Sequence, residues 1–298
     1  MRCFQCGEEI EAGREEHYGL HPSCFRESFR VDGLPEFTGI ARIQQDATSP
    51  AGQPVSTDTS FFQGKFRKYD ARLEGVSYIL KVEEKEYPEL PVMECLCNQI
   101  AVFLGIEVPQ SGLIRFHGVS ALAVRNFIRP GRKEALHHIH HFLEGGSFDC
   151  ETLIRVIRDK TGRLFEIERF ITLCLFDSLI GNHDRHGRNL GFIEEAGQYR
   201  LAPFYDNPSY LGIEEAAFLR ADHSPRGRIA TKDSPDPVMT DYVEEFKRLG
   251  FIHVVEGFRR SLNTKKLMTL TGWSFLSAER AKAFNVLIMK RAEQLNND

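Results

Sequence analysis

The chain has 298 residues, with 38 Lys and Arg against 42 Asp and Glu and a formal net charge of −4. That balance excludes the global basic field that advertises nucleic-acid binding, so no direct nucleic-acid contact is expected. Hydrophobic residues are 42% and charged residues 27%, ordinary for a soluble globular protein, and no run approaches the ~18 apolar residues of a membrane span. The N-terminal MRCFQCGEEI has no apolar signal core, which predicts a cytoplasmic chain with its cysteines reduced.

Taken in order, the chain opens with Cys3-x-x-Cys6 and then His21-x-x-Cys24. Two such ligand pairs suit one tetrahedral Zn²⁺, and four protein ligands would make the site structural, because no position is left for a substrate. His17 is a less well-spaced rival for the third position. Reduced cysteines in a small apolar corner are the plain alternative. Three of the seven cysteines fall in this short stretch, which favours the metal.

Residues 38–60 are rich in Gly, Pro, Ser and Thr and read plainly as a mobile linker. The next residues suggest a sharper reading. Residues 61–73 carry strand-like aromatics, and Val76 to Val82 (VSYILKV) reads as a strand whose end carries Lys81. A strand, a loop and a strand with a buried lysine is how kinase N-lobes cover ATP. Lys81 would reach the α/β-phosphates, and Glu94, about one turn into a helix starting near Pro91, would pair with it. Taken alone, Lys81 reads equally well as a snorkelling strand-end lysine.

His137, His138, His140 and His141 are expected on a partly exposed helix, where 137 and 141 share a face. A metal site there is conceivable, but no acidic or Cys ligand sits nearby in sequence. Cys150 opens an amphipathic helix, and Phe170, Leu173 and Phe176 mark the core face of a helix over 167–179. That helix stops at Gly181, and a dense polar loop comes next, Asn182-His183-Asp184-Arg185-His186-Gly187-Arg188-Asn189. Two short apolar runs, Leu190 to Ile193 and Tyr199 to Leu201, read as a hairpin leading into Phe204-Tyr205-Asp206. Asp184 and Asn189 can point into one cleft, with Asp206 just past the hairpin. One carboxylate to orient a hydroxyl, and an amide and a second carboxylate to hold Mg²⁺, are what phosphoryl transfer from ATP needs. A polar turn capped by Asp184 is the bland reading. Residues 220–237 read as a mobile loop. Helices are expected over 238–250, 252–261 and 277–295, with Trp273 in the core.

GNHDRHGRN and YRLAPFYD resemble the catalytic stretch of the HipA family of bacterial serine/threonine kinases, the toxin halves of some toxin–antitoxin pairs, whose pattern is G-N-x-D-x-H-x-K-N and then Y-x-L-x-P-x-Y-D. The resemblance implies that Asp184 and His186 belong to the catalytic set and that Asn189 and Asp206 hold the metal, with Arg188 in place of the usual lysine. It extends through YILKVEEKEYPELPVMECLCNQIAVFLGIEVP, which matches I-L-K, YPELPxxE, a helix and G-x-x-V-P. ALAVRNFIR resembles the family hinge, so backbone groups of Arg125 to Phe127 would meet adenine. Some relatives also begin with a C-x-x-C…H-x-x-C segment.

The phosphate-covering loop departs from the family's S-x-S/A-G-x-Q-x-K. Gln63 and Lys65 take its glutamine and lysine. Ser60 takes its second small position. Phe61 replaces the glycine, and Asp58 replaces the serine that relatives autophosphorylate. Phe cannot allow the close backbone approach that Gly does. Asp58 is therefore expected as a built-in brake, with Ser60 or a neighbouring hydroxyl as an adjustable one.

The expected fold is α+β and bilobal, protein-kinase-like. It has a small zinc-knuckle module over 1–37, an ATP-binding N-lobe over 38–130 and a mostly helical C-lobe with the catalytic loop over 131–298. The expected activity is transfer of the ATP γ-phosphoryl group to a serine or threonine of a protein, with Mg²⁺, in a toxin acting on translation. In relatives the targets are aminoacyl-tRNA synthetases, and an antitoxin partner is expected. The alternatives are a catalytically weak or inactive kinase-fold protein that docks a partner, and a small-molecule kinase.

Overall fold

Alternation of side chains along Arg67–Leu73 and Val76–Val82 sets the architecture. Tyr69, Ala71 and Leu73 on the first strand, and Tyr78, Leu80 and Val82 on the second, share one apolar cluster, so their neighbours Lys68 and Lys81 belong to the opposite face. The computed structural model describes residues 1–296 apart from residues 12, 14, 44–66, 130, 144–146, 216 and 222–224. The order is α1 (Pro22–Phe29), β1 (Thr38–Arg42), β2 (Arg67–Leu73), β3 (Val76–Val82), α2 (Leu90–Phe103), β4 (Ser111–Phe116), β5 (Val119–Arg125), β6 (Glu134–His138), α3 (Cys150–Thr161), α4 (Leu164–Ile180), β7 (Gly191–Glu195), β8 (Gln198–Leu201), α5 (Met239–Arg248), α6 (Ile252–Ser261), α7 (Thr264–Trp273) and α8 (Ala278–Asn296).

The N-lobe sheet is antiparallel with strand order β1-β2-β3-β5-β4. Its β1 is an exposed edge strand, so Thr38–Arg42 is paired rather than the start of a linker. Phe25, Phe29 and Phe37 of the N-terminal segment pack on one face of this sheet. The backbone N–H of Arg115 on β4 donates to the Tyr18 carbonyl (2.8 Å), which covers the sheet's other edge. The N-terminal segment and the sheet therefore share one core. On the opposite face, Val92 and Cys95 of α2 pack on Leu113 and Leu122. Phe4 reaches round to that cluster and meets Phe275, between α7 and α8, edge to face at 4.9 Å.

A second core joins α2 to the C-lobe helices around α4, whose buried face includes Phe170, Leu173, Leu175 and Phe176. Gly181 ends α4 at φ 71°, a conformation that favours glycine. A Cβ there would lie 2.8 Å from Leu287 and 2.9 Å from Pro225, so packing also demands the missing side chain.

Three expectations are corrected. The histidine run 137–141 is not a helix: Glu134–His138 pairs with β7, and Ile139–Phe142 is a 3-10 turn, because the sheet partner overrides local preference. Trp273 is 65% exposed rather than core, with Lys266 over its ring at 5.5 Å. The described part of 220–237 is anchored: Ala230 bridges Asp149, Ile229 is buried, and the Tyr242 hydroxyl donates to the Ile229 carbonyl (2.9 Å). Among the described residues no helix is long and apolar enough to cross a membrane.

Candidate active site

Lys81 comes from β3 and Glu94 from the second turn of α2, and both are buried. The Lys81 ammonium donates to Glu94 Oε1 at 2.5 Å and to Asp206 Oδ1. Burial alone would lower the lysine, but the charges of Asp206 and Glu94 outweigh it and hold Lys81 above its ordinary value. Lys68 on β2 lies directly across from Lys81 and stands 3.7 Å from Asp206 Oδ2. Burial would raise the Asp206 carboxyl. Lys68 and Lys81 reverse that and hold it well below the usual carboxylate range. Asp206 sits at φ 53°, so the chain turns sharply where it presents this carboxylate.

The loop after α4 is folded by its own polar groups. Asp184 N–H donates to Asn182 Oδ1 (3.1 Å), and the Asp184 carbonyl accepts from His186 N–H (2.8 Å) and from Asn189 Nδ2 (3.1 Å). Arg188 N–H donates to His186 Nδ1 (3.1 Å). His186 thus acts on the loop's shape. The Asn189 amide nitrogen is committed to the loop, so its oxygen is the atom a cation would take.

Sequence reasoning missed the group beneath this loop. Arg185 is 1% exposed. Its Nε and Nη2 donate to the Asp177 carboxylate at 2.8 and 2.9 Å, Nη1 donates to the carbonyls of Asn189 (2.8 Å) and Tyr205 (2.7 Å), and Nη2 donates to Asn207 Oδ1 (2.6 Å). One guanidinium thereby ties α4, the loop and the Asp206 segment together. Burial would lower Arg185, and the Asp177 charge more than offsets this, so it stays a cation. Asn207 Nδ2 continues the network to Asn98 Oδ1 on α2 at 2.9 Å. A signal existed: Asp177 in an otherwise apolar helix needs a partner.

The histidine strand braces the same loop. His140 N–H and its ring Nδ1 both lie 3.3 Å from the Gly187 carbonyl, and a Cβ on Gly187 would fall 2.8 Å from the His140 Cβ. The Tyr205 hydroxyl donates to the Arg188 carbonyl (2.9 Å) and lies 3.1 Å from His138 Nδ1. Burial, then the positive neighbours His140, His141 and Arg188, push His138 below the ordinary imidazole value.

At the hinge, the Phe127 ring stacks on Tyr205 with centroids 5.5 Å apart, which links N-lobe to C-lobe. The N–H groups of Arg125 and Asn126 already donate to the Gln110 and Ser77 carbonyls, at 2.8 and 2.9 Å. Asp58, Ser60, Phe61, Gln63 and Lys65 lie outside the described residues.

The Cys3, Cys6, His21 and Cys24 ligand atoms all lie within 4.8 Å of one another. Three sulfurs and an imidazole at that spacing fit a tetrahedral zinc. Among the described residues this is the one group of at least three His, Cys, Asp or Glu side chains close enough to hold a metal. Burial would raise the Cys3 thiol, but backbone N–H groups of Cys6, His21 and Gln5 aim at its sulfur and lower it to about 7. His17 is occupied elsewhere: its Nε2 is 2.9 Å from the Pro35 carbonyl, and its ring packs on Phe25 at 4.4 Å.

A strand lysine paired to a helix glutamate, above a polar loop and a carboxylate from the second lobe, defines a protein-kinase-like fold. The family model described as HipA-like C-terminal domain matches residues 54–248, well over half of the chain. The chain belongs to that family.

Among relatives, a Haemophilus influenzae protein named "Putative kinase" is 28% identical over 173 residues, 48% of this chain and 48% of its own length. A Sinorhizobium fredii protein named "Putative kinase Y4dM" is 28% identical over 183 residues, 53% of this chain and 44% of its own length. The match thus spans about half the length of these relatives.

Two solved structures share the fold. The proinflammatory kinase CtkA of Helicobacter pylori has a TM-score of 0.64 at 15% identity, covering 76% of this chain and 90% of CtkA. HipA of Shewanella oneidensis, solved with HipB and operator DNA, has a TM-score of 0.55 at 15% identity, covering 96% of this chain and 72% of that one.

Proposed function

We propose that this chain is an ATP-dependent serine/threonine protein kinase. The observation that carries the reading is the single lysine, Lys81, shared by Glu94 from α2 and Asp206 from the second lobe. A lysine so held is positioned to contact nucleotide phosphates, and a carboxylate that already attracts two ammonium groups is suited to a divalent cation. Asn189 and Asp206 would hold Mg²⁺, which supplies charge neutralisation for the phosphates when bound. The Asp184 carboxylate accepts the proton of the attacking hydroxyl. Arg185 and the His138–Tyr205 pair keep the loop and the metal-binding segment in register. Phe127 on Tyr205 offers an aromatic surface at the hinge, where backbone groups of Arg125 to Phe127 meet adenine.

The Cys3, Cys6, His21 and Cys24 set binds structural Zn²⁺. The physiological setting we propose is a toxin of a toxin–antitoxin pair acting on translation, through an aminoacyl-tRNA synthetase or another translation component, and restrained by a partner protein as the Shewanella HipA is seen with HipB. Phe61 in place of a phosphate-loop glycine favours a second reading, a weak or inactive kinase-fold protein that docks a partner.

The test is transfer from radiolabelled ATP with Mg²⁺ to a panel of proteins and small hydroxyl compounds, with identification of the labelled residue. Label on serine or threonine supports the reading. Label confined to small molecules assigns a small-molecule kinase instead.

A further inference from the structure

Lys68 and Lys81 are direct cross-strand partners on β2 and β3. Like charges directly opposite each other destabilise a sheet, so this pair needs an explanation. Both side chains belong to the cleft face, opposite the cluster that holds Tyr69, Ala71, Tyr78 and Leu80. They also converge on one carboxylate: Lys81 bonds Asp206 Oδ1, and Lys68 stands 3.7 Å from Oδ2. Lys81 has Glu94 as a further buried partner, whereas Lys68 is 28% exposed at the mouth of the cleft.

The charge balance then points to a ligand. Two ammonium groups face two carboxylates, Glu94 and Asp206, and the set is neutral. A divalent cation on Asp206 takes the carboxylate oxygens and adds two positive charges, which leaves Lys68 without its counter-charge. A polyphosphate carried in with the cation supplies it. We propose that Lys68 is a second phosphate-binding cation, which neutralises Asp206 in the nucleotide-free site and transfers to the polyphosphate when the metal arrives.

This assignment rests on the kinase reading and deepens it. It also bears on Phe61, which stands where the family pattern has a glycine. Backbone amides carrying a Phe approach phosphate less closely than those of Gly. A lysine on a flexible four-carbon stem delivers charge without that close approach. Lys68 therefore compensates for the altered loop, and its contribution is specific to the phosphates rather than to the nucleoside.

The test is calorimetric titration of the full chain with Mg·ATP and with adenosine, in wild type, Lys68→Met and Lys68→Arg, together with Mn²⁺ binding measured by electron paramagnetic resonance. Lys68→Met is expected to weaken Mg·ATP about tenfold, the scale of one charge-assisted contact, and to leave adenosine within about twofold. It should also tighten Mn²⁺ binding in the absence of nucleotide, because a competitor for Asp206 is gone. Lys68→Arg should retain most of the ATP affinity. Equal losses for ATP and adenosine would make Lys68 a structural residue and overturn the proposal. Unchanged ATP affinity in Lys68→Met overturns the lysine's role and leaves the kinase reading standing. A wild-type chain that binds no Mg·ATP overturns both.

Discussion

Arg185 forks onto Asp177 with two hydrogen bonds of 2.8 and 2.9 Å, beneath the loop that carries Asp184. Both side chains are buried, so each depends on the other for its charge. Asp177→Asn leaves the Arg185 charge without its counter-ion and should cost about 3–5 kcal/mol of stability. Arg185→Lys should not rescue the site, because a point-like ammonium cannot serve Asp177 and two backbone carbonyls in a planar fork. Urea unfolding of the two variants checks both statements. A loss below about 1 kcal/mol for Asp177→Asn would mean that water reaches this pair.

Glu94→Gln tests the pair that positions Lys81. The amide keeps the shape of Glu94 but removes the charge that holds the ammonium. A misplaced lysine should slow transfer by on the order of a hundredfold, with a smaller effect on the melting temperature. Steady-state kinetics beside a thermal melt would separate the two. An unchanged rate would show that Lys81 is held by Asp206 alone.

Buried imidazoles give the fold a pH dependence of definite sign. Burial leads the lowering of both His138 and His183. A histidine depressed in the folded state binds its proton more readily when unfolded. Its contribution is therefore complete above the unfolded value of about 6.5 and is lost as pH falls through the folded value. Melting temperature should drop as pH is lowered from 7 to about 5, and the drop should be shallower in a His138→Gln, His183→Gln double variant. Equal slopes in variant and wild type would assign the acid sensitivity to other groups.

Zinc should be present at about one ion per chain in protein purified without chelator. Cys3 lies in the same apolar cluster as Leu80 and Ile114 of the sheet. Cys24→Ser should therefore destabilise the N-lobe sheet along with the knuckle. Metal analysis and hydrogen exchange on residues 67–82 read the two effects. Stoichiometric zinc with no change in sheet protection would mean that the module is only an ornament on the lobe.

Local pattern carried much of the architecture. Val76–Val82 and Ile252–Ser261 have the bounds their sequence pattern predicts, and α2 begins one residue before the expected Pro91. The failures have physical causes. Thr264–Trp273 escaped notice because its helix buries only Leu267 and Thr271, which leaves no apolar stripe to read. The histidine run has no strand signal of its own and is a strand because Gly191–Glu195 lies beside it. The polar network was the least legible part: Asn207 and Asn98 are 109 residues apart, and nothing local pairs them. Lys68 could have been found, since alternation through Arg67–Leu73 puts it on the face of Lys81 once the two strands are placed in register.

Joint action of the Asp184 loop and the Lys81 cleft in phosphoryl transfer is tested most directly by mass spectrometry, intact and on peptides. The purified wild-type chain and Asp184→Asn are each incubated with Mg·ATP and an acceptor protein. Phosphoryl groups should appear on serine or threonine with wild type and not with Asp184→Asn, whose amide cannot accept the hydroxyl proton. Equal phosphorylation by both chains, or none by a wild type that binds Mg·ATP, would contradict the kinase assignment of this site.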